Sequence, residues 1–153
     1  MKHLDPTVWQ VYERLGLAVY IVQSIEKQMA ILLASDCELS SKELAASQYD
    51  ELLAKLFGKT LGELVKRLRQ KVELPSDFDE RLKAVLRTRN WLVHHYFWDR
   101  TNQFTTPEGR AAMIDELDQI TDQLNELDEY FDGLLVGRLQ HHSVRLYEYI
   151  RQR

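Results

Sequence analysis

The residues best able to do chemistry lie in one short segment, residues 86–99. It contains Arg89, followed directly by Asn90, and the adjacent pair His94 and His95. Histidine can accept or donate a proton near neutral pH, and the forked, always charged guanidinium of arginine can hold an anion such as phosphate. Each residue alone also fits a structural role: Arg89 in a buried ion pair, and either histidine as a packed, hydrogen-bonded side chain.

A helix through this segment would be apolar on both sides. At about 100° per residue, Arg89 falls near the middle of an apolar stripe, where an unpaired charge is costly. The aromatic residues Trp91 and Trp98 point to the other side with both histidines. A helix that is apolar all round must be covered on both sides. We therefore expect a partner subunit to contact both tryptophans, with stacking on a nucleic-acid base as the alternative. The stripe comprises Phe78, Leu82, Val85, Leu86, Leu92, Val93, Tyr96 and Phe97.

The sequence predicts no metal site and no cofactor. Neighbouring residues on a helix diverge by about 100°, so the pair His94 and His95 makes a poor chelate. The second pair, His141 and His142, fits polar surface. Cys37 is the only cysteine, which excludes a cysteine-based zinc cluster. We find no carboxylate pair at metal spacing and no nucleotide-binding fingerprint.

The order Arg89-Asn90-x-x-x-His94-x-Tyr96 resembles the signature of the HEPN superfamily. That signature is an arginine, a polar residue and then a histidine four to six residues further on. Tyr96 completes the arginine–four–histidine–x–tyrosine form of HepT-like toxins. The resemblance extends in helix order over residues 7–137. The chain differs from the pattern in offering His95 as a second histidine and in a longer insert over residues 35–71.

This resemblance implies a HEPN-like fold and a metal-independent endoribonuclease that cleaves single-stranded RNA as a toxin or defence effector. Arg89, Asn90 and His94 would be its catalytic residues, with His95 as the second candidate histidine. The enzyme would be a symmetric homodimer in which both motifs face one cleft. The resemblance also implies a nucleotidyltransferase-type antitoxin as a partner and Tyr96 as its modification site, although the helical pattern places Tyr96 on the core stripe.

Helix geometry gives a separate reason to expect the dimer. On an ideal helix Arg89 and His94 lie about 140° apart, so one helix converges them poorly. A two-fold interface would bring a second arginine and a second histidine across the cleft. Two alternatives remain open: a HEPN-like module without nuclease activity that binds nucleotide, RNA or a protein partner, and an unrelated helical interaction protein.

Charge is unevenly distributed along the chain, whose formal net charge is −4. Residues 59–100 carry ten basic and six acidic side chains, whereas residues 108–132 carry nine carboxylates and one arginine. Both stretches fit solvated helix faces, but a basic middle could also meet the phosphates of RNA while the acidic helix repels them. We predict that RNA binds to Lys66, Arg67, Arg69 and Arg87.

Helical spacing of apolar residues predicts the elements before the motif. A first helix should cover residues 7–34 and end at the polar residues 35–38. A second helix should open at a Ser40–Glu43 capping box and end near Gly58, and a third should open at a Thr60–Glu63 capping box.

The motif helix should start near Ser76 and continue unbroken to about Arg100. A loop over 101–105 should follow, and Thr106 should cap a long helix that ends or bends at Gly133 or Gly137. Residues 138–153 should form a last helix or an extension.

Length and composition fit one folded domain over residues 1–153. The chain has six glycines and three prolines, few enough for long helices. We expect an all-α bundle of about four to six helices. The sequence has neither an uninterrupted run of 18 apolar residues nor an apolar signal core at its start, and its single cysteine fits a reducing compartment. It therefore predicts a cytoplasmic protein without a membrane partner.

Overall fold

The computed structural model describes residues 5–40, 46–57, 59–71 and 75–142. Within these ranges every regular element is a helix, which confirms the all-α class. Seven helices occur in the described residues, more than expected, because the region from the motif to Pro107 forms three separate helices. Their bounds are α1 Pro6–Ser40, α2 Ala46–Phe57, α3 Leu61–Lys71, α4 Phe78–His94, α5 Tyr96–Asp99, α6 Thr101–Phe104 and α7 Pro107–His142.

Helix α1 is longer than the sequence predicts. It continues to Ser40, whereas the polar residues 35–38 were expected to end it. These residues include no glycine or proline, and adding one residue to an existing helix forms a backbone hydrogen bond at little cost. The predicted Ser40–Glu43 capping box includes Glu43, which lies outside the described residues.

By length and composition alone, the part of α1 over Pro6–Ala34 could cross a membrane. Half of its most apolar window is buried inside the structure. The core helix of a soluble protein and a signal sequence both meet the same criterion. The location of the protein and the lack of a membrane partner therefore stay predictions.

Two predicted caps are confirmed. The backbone N–H of Thr60 donates to Oε2 of Glu63 at 3.1 Å, and the N–H of Glu63 donates to Oγ1 of Thr60 at 3.4 Å, which is a reciprocal capping box. At the start of α7, Oγ1 of Thr106 accepts the N–H of Gly109 at 3.0 Å. Helix α7 then passes unbroken through residues 133 and 137. A single glycine inside a helix destabilises the helix by only about 1 kcal/mol. Packing of the helix before and after the glycine can offset this cost.

The expected unbroken motif helix is wrong at His95. This residue has φ −128° and ψ −22°, outside the helical region, so α4 ends at His94 and α5 begins at Tyr96. The N–H of His95 donates to the carbonyl of Trp91 at 2.9 Å as the last bond of α4, and the N–H of Asp99 donates to the carbonyl of His95 at 2.9 Å as the first bond of α5. The expected loop after Arg100 is mostly the single turn α6.

The chain divides into two compact units. The first consists of residues 1–23 and 80–128, and the second of residues 24–79 and 129–153. Each has its own buried apolar residues, and the single domain over residues 1–153 stays a prediction. The first unit buries, among others, Val11, Ala18, Leu82, Val85, Leu92, Tyr96, Met113, Leu117 and Leu124. The second buries, among others, Ile25, Met29, Leu33, Leu56, Leu64, Leu68, Phe78 and Phe131.

A buried arginine fixes the end of the first unit that carries the motif. The Arg110 side chain is only 8% exposed, and its Nη2 donates to Oδ2 of Asp5 at 2.7 Å. Its Nε donates to Oγ1 of Thr7 at 2.7 Å, and its Nη1 donates to the carbonyl of Phe104 at 3.0 Å. One guanidinium therefore ties the start of α1 and the end of α6 to α7.

Candidate functional site

The candidate catalytic residues lie on the second half of α4, in the first unit. Arg89 is half-buried on the same helix stripe as the buried Val85 and Leu92, whereas Asn90 and His94 are exposed. Nη1 of Arg89 donates to Oδ1 of Asn90 at 3.1 Å. Helical geometry places the α-carbons of Arg89 and His94 about 140° apart around the axis. Asn90 therefore orients the arginine, and a single copy of α4 carries the two reactive groups on different sides.

Both candidate histidines are exposed at the break between α4 and α5. The ring centroids of His94 and His95 lie 6.3 Å apart with planes at 69°. No group of three or more histidine, cysteine or acidic residues comes together in the part of the chain that the structure describes. Either histidine is therefore accessible, as a proton donor or acceptor, to a ligand that approaches from solvent.

Tyr96 lies on the core side, as its helical position predicts. It is fully buried, and its hydroxyl donates to the backbone carbonyl of Met113 at 3.3 Å. Burial raises the pKa of the Tyr96 hydroxyl well above its ordinary value, and the nearby carboxylate of Glu116 acts in the same direction. Modification of Tyr96 stays a prediction, and it would require this hydroxyl to leave the core.

The two tryptophans beside the motif have different surroundings. Trp91 packs within the protomer: its ring meets the ring of Tyr96 edge to face at 5.0 Å, and its Nε1 donates to Oδ2 of Asp99 at 2.8 Å. The Arg100 guanidinium lies over the Trp91 ring at 5.2 Å. Trp98 is 83% exposed. Only Trp98 is therefore free to contact another molecule with most of its surface.

An ion pair holds the residue that follows α5. Nε and Nη2 of Arg100 donate to the two carboxylate oxygens of Glu116 in α7, at 2.9 and 2.5 Å. The pair is partly buried, and a bidentate geometry of this kind is the strong form of an arginine–carboxylate contact. Together with the Trp91–Asp99 hydrogen bond, it fixes the segment that carries both histidines.

The predicted RNA-binding cations fall in both units. Lys66, Arg67 and Arg69 are exposed on α3 in the second unit, where Nε of Arg69 pairs with Oδ1 of Asp79 at 2.8 Å. Arg87 is exposed on α4 in the first unit. Of this set, only Arg87 shares an element with the motif.

Two residues assigned to the core stripe are exposed. Val93 and Phe97 have 48% and 37% of their surface open, so the apolar stripe is wider than the face that is actually buried. Phe97 contacts Tyr12 of α1 and Phe104 of α6, with centroids 5.8 and 5.5 Å away, and both of those rings also touch each other. The helical spacing of the motif segment did not reveal that α1 also brings exposed rings to this side.

Val93, Phe97 and Tyr12 form part of a larger exposed set, which we call the apolar patch. It includes Tyr20, 67% exposed, and a ring contact of 6.1 Å joins Trp9 to Tyr12. A helical wheel of α1 could have indicated it, since its four α1 members lie within about 140° of one another. The apolar patch consists of Trp9, Tyr12, Leu17, Tyr20, Val93 and Phe97, all in the first unit.

A second exposed set was also missed, although the spacing was visible in the sequence. Lys83, Arg87, Asn90, His94 and Trp98 recur at intervals of three or four residues, and all five are exposed. On an ideal helix Lys83, Arg87 and Asn90 lie within about 40° of His94, and Trp98 follows four residues later in α5, beyond the break at His95. We call this set the His94 stripe.

Comparisons with known proteins add no relative. No protein-family model matches the chain, and neither the curated proteins nor the solved structures include a significant match.

Proposed function

We propose that this protein is a metal-independent endoribonuclease that cleaves single-stranded RNA and acts as a toxin or defence effector. The observation that carries the proposal is the Arg89-Asn90-x-x-x-His94 order, which resembles the HEPN signature. Two features of the structure support it. His94 is exposed at the end of α4, and the Arg89 guanidinium is oriented by Asn90.

The proposed reaction needs removal of a proton from the attacking 2′-hydroxyl, delivery of a proton to the leaving 5′-oxygen, and stabilisation of the phosphate between them. The ribose 2′-hydroxyl attacks the adjacent phosphorus, and the bond from phosphorus to the 5′-oxygen breaks. The products are a 2′,3′-cyclic phosphate and a 5′-hydroxyl. His94 either takes the proton from the 2′-hydroxyl or gives one to the leaving 5′-oxygen, and water is the proton partner for the other transfer. Arg89 stabilises the negative charge that grows on the phosphate oxygens.

The active form in this proposal is a homodimer. Arg89 and His94 diverge on one helix, so a two-fold partner would supply the complementary group. The apolar patch supports such a partner, because large exposed apolar side chains on neighbouring elements are typical of protein interaction sites. Val93 and Phe97 place the patch directly beside the motif.

The same divergence favours the second candidate function, a HEPN-like module that binds nucleotide, RNA or a protein partner without cutting RNA. In that case Arg89 would serve packing and the Asn90 contact, and His94 would be an ordinary surface residue. Cleavage itself separates the two candidates.

The test compares purified wild-type protein with His94→Ala on labelled single-stranded RNA in excess EDTA. We expect His94→Ala to lose cleavage by about 10²-fold or more, since general acid–base groups contribute at least that much. His95→Ala is the matched control: it removes a neighbouring exposed imidazole and should cut nearly as fast as wild type. The wild-type product should end in a 2′,3′-cyclic phosphate.

Circular dichroism of all three proteins shows whether the variants fold. Wild-type cleavage that stops in EDTA would contradict the mechanism. A folded His94→Ala that cuts as fast as wild type would do the same, and it would favour the binding module.

A further inference from the structure

The His94 stripe combines the side chains that single-stranded nucleic acid requires. It offers two cations, one amide and one imidazole on one face of α4, and one large indole on α5 beyond the break at His95. From Lys83 to His94 it extends for about 16 Å along α4, at 1.5 Å per residue, which is long enough for a few nucleotides. All five residues belong to the first unit.

The charge of the stripe contrasts with the rest of the chain. The protein has a net charge of −4, whereas the stripe carries Lys83 and Arg87, and the exposed Glu80 lies on the same face one turn before Lys83. Neither cation pairs with a carboxylate among the residues that the structure describes. The nearest acid in sequence at the Trp98 end, Asp99, accepts the Trp91 indole N–H. Positive charge that no described carboxylate pairs with is available to phosphates.

Trp98 supplies an exposed aromatic ring, a feature that a surface for single strands uses and a surface for duplexes does not need. The neighbouring Trp91 satisfies its N–H and packs its ring inside the protomer, whereas Trp98 leaves 83% of its surface in solvent. Proteins that bind single strands combine a basic groove with exposed aromatic rings on which unpaired bases stack. Trp98 lies four residues beyond His94, in the following helix α5, so such a base would lie near the reacting phosphate.

We propose that the His94 stripe is the track for single-stranded RNA, with Trp98 stacking on an unpaired base and Lys83 and Arg87 holding backbone phosphates. This inference rests on the proposed function and adds a specificity: cleavage occurs beside an unpaired base. It also moves the principal RNA contact from α3, where Lys66, Arg67 and Arg69 lie, to α4.

The first experiment measures binding separately from cleavage. A labelled octamer with 2′-O-methyl groups lacks the attacking hydroxyl, so wild-type protein binds it without cutting it. We expect Trp98→Ala to weaken its binding about fivefold or more, and Trp98→Phe to stay within about threefold of wild type because a phenyl ring still stacks. Gln119→Ala, which removes an exposed side chain of α7 outside both the stripe and the apolar patch, is the control. The same octamer in a duplex should bind weakly and equally to wild type and Trp98→Ala.

The second experiment locates the phosphates. The double variant Lys83→Gln, Arg87→Gln should lower the slope of log affinity against log salt concentration by about 1.4, since each phosphate contact to a single strand contributes about 0.7. The pair Lys66→Gln, Arg67→Gln removes the same charge from α3 and should change the slope much less.

The outcomes separate this inference from the proposed function. Binding of the octamer with the expected losses, but no cleavage of ordinary RNA by wild type, supports the track and overturns the nuclease. Equal binding by Trp98→Ala and wild type overturns the track. A larger loss from the α3 pair than from the α4 pair also overturns it. Light scattering of Trp98→Ala completes the test, because a change of oligomeric state would assign Trp98 to a protein interface instead.

Discussion

At the scale of single residues, burial separates the positions of the motif that can react from those that cannot. His94 and Asn90 are exposed, whereas the Tyr96 hydroxyl is enclosed and bonded to the carbonyl of Met113. In the folded protein, Tyr96 stabilises the contact between α5 and α7.

Replacing Tyr96 with phenylalanine tests that role. Tyr96→Phe should lower the free energy of unfolding by about 0.5 to 1.5 kcal/mol near neutral pH, because one buried hydrogen bond is lost. Burial raises the pKa of Tyr96, so above about pH 10 the unfolded chain releases this proton more readily than the folded one. Wild-type stability then falls with rising pH, and the phenylalanine variant lacks this loss.

Urea unfolding at pH 8 and at pH 10.5 measures the effect. The gap between the two proteins should narrow at the higher pH. A gap that is the same at both pH values would show that the Tyr96 hydroxyl ionises as freely in the folded state as in the unfolded state.

The sequence predicted the side of the helix for most motif residues, because the 3.6-residue period determines it. Arg89 and Tyr96 lie on the core side, and His94 lies on the open side, as the spacing indicates. It did not predict the partner of Asn90, which contacts Arg89 and not His94. Side-chain rotamers decide that contact, and spacing alone carries no information about them.

At the scale of elements, local signals predicted helix starts better than helix ends. The Thr60–Glu63 box and the Thr106 cap are formed by residues a few positions apart, so the sequence contains both partners. The break at His95 has no such local cause. The segment after it contacts another element through Arg100 and Glu116, and no periodicity reveals that contact.

Gly109 shows how closely α6 and α7 approach each other. A Cβ atom at this position would overlap the backbone carbonyl group of Gln103, whereas one at Gly133 would meet nothing within 4 Å. We expect Gly109→Ala to destabilise the protein by about 1 to 3 kcal/mol, because backbone must move to admit the methyl group. Gly133→Ala is the matched control and should stabilise it by about 0.5 to 1 kcal/mol, since alanine favours the helix.

Thermal unfolding of the two variants measures this contrast. Gly109→Ala should unfold at a lower temperature than wild type and Gly133→Ala at a higher one. If both substitutions shifted the midpoint by the same amount and in the same direction, the close approach of α6 to α7 would be wrong.

At the scale of the whole molecule, the apolar patch determines whether the proposed dimer forms. Tyr20→Glu places a charge in the patch, and a charge buried in an apolar interface without a partner is strongly unfavourable. Light scattering at micromolar concentration should therefore find a wild-type dimer and a Tyr20→Glu monomer. Gln119→Glu adds the same charge at an exposed position of α7 and should remain dimeric. A monomeric wild type that binds lipid vesicles through α1 would contradict this prediction.

The dimer also predicts where the reacting groups come from. If each active site uses Arg89 of one copy and His94 of the other, then Arg89→Ala and His94→Ala are each inactive alone but not when mixed. In a mixed dimer one site keeps both groups and the other keeps neither. Equal amounts that exchange freely give one half mixed dimers, and therefore about one quarter of wild-type cleavage, as expected of a two-fold site.

Cleavage of labelled RNA in EDTA, measured before and after mixing, checks this figure. The same mixture made with Tyr20→Glu in both chains should recover nothing, because those chains cannot pair. No recovery from chains shown to exchange would mean that Arg89 and His94 act within one copy. Since they diverge on α4, cleavage of that kind would require α4 to rearrange when RNA binds.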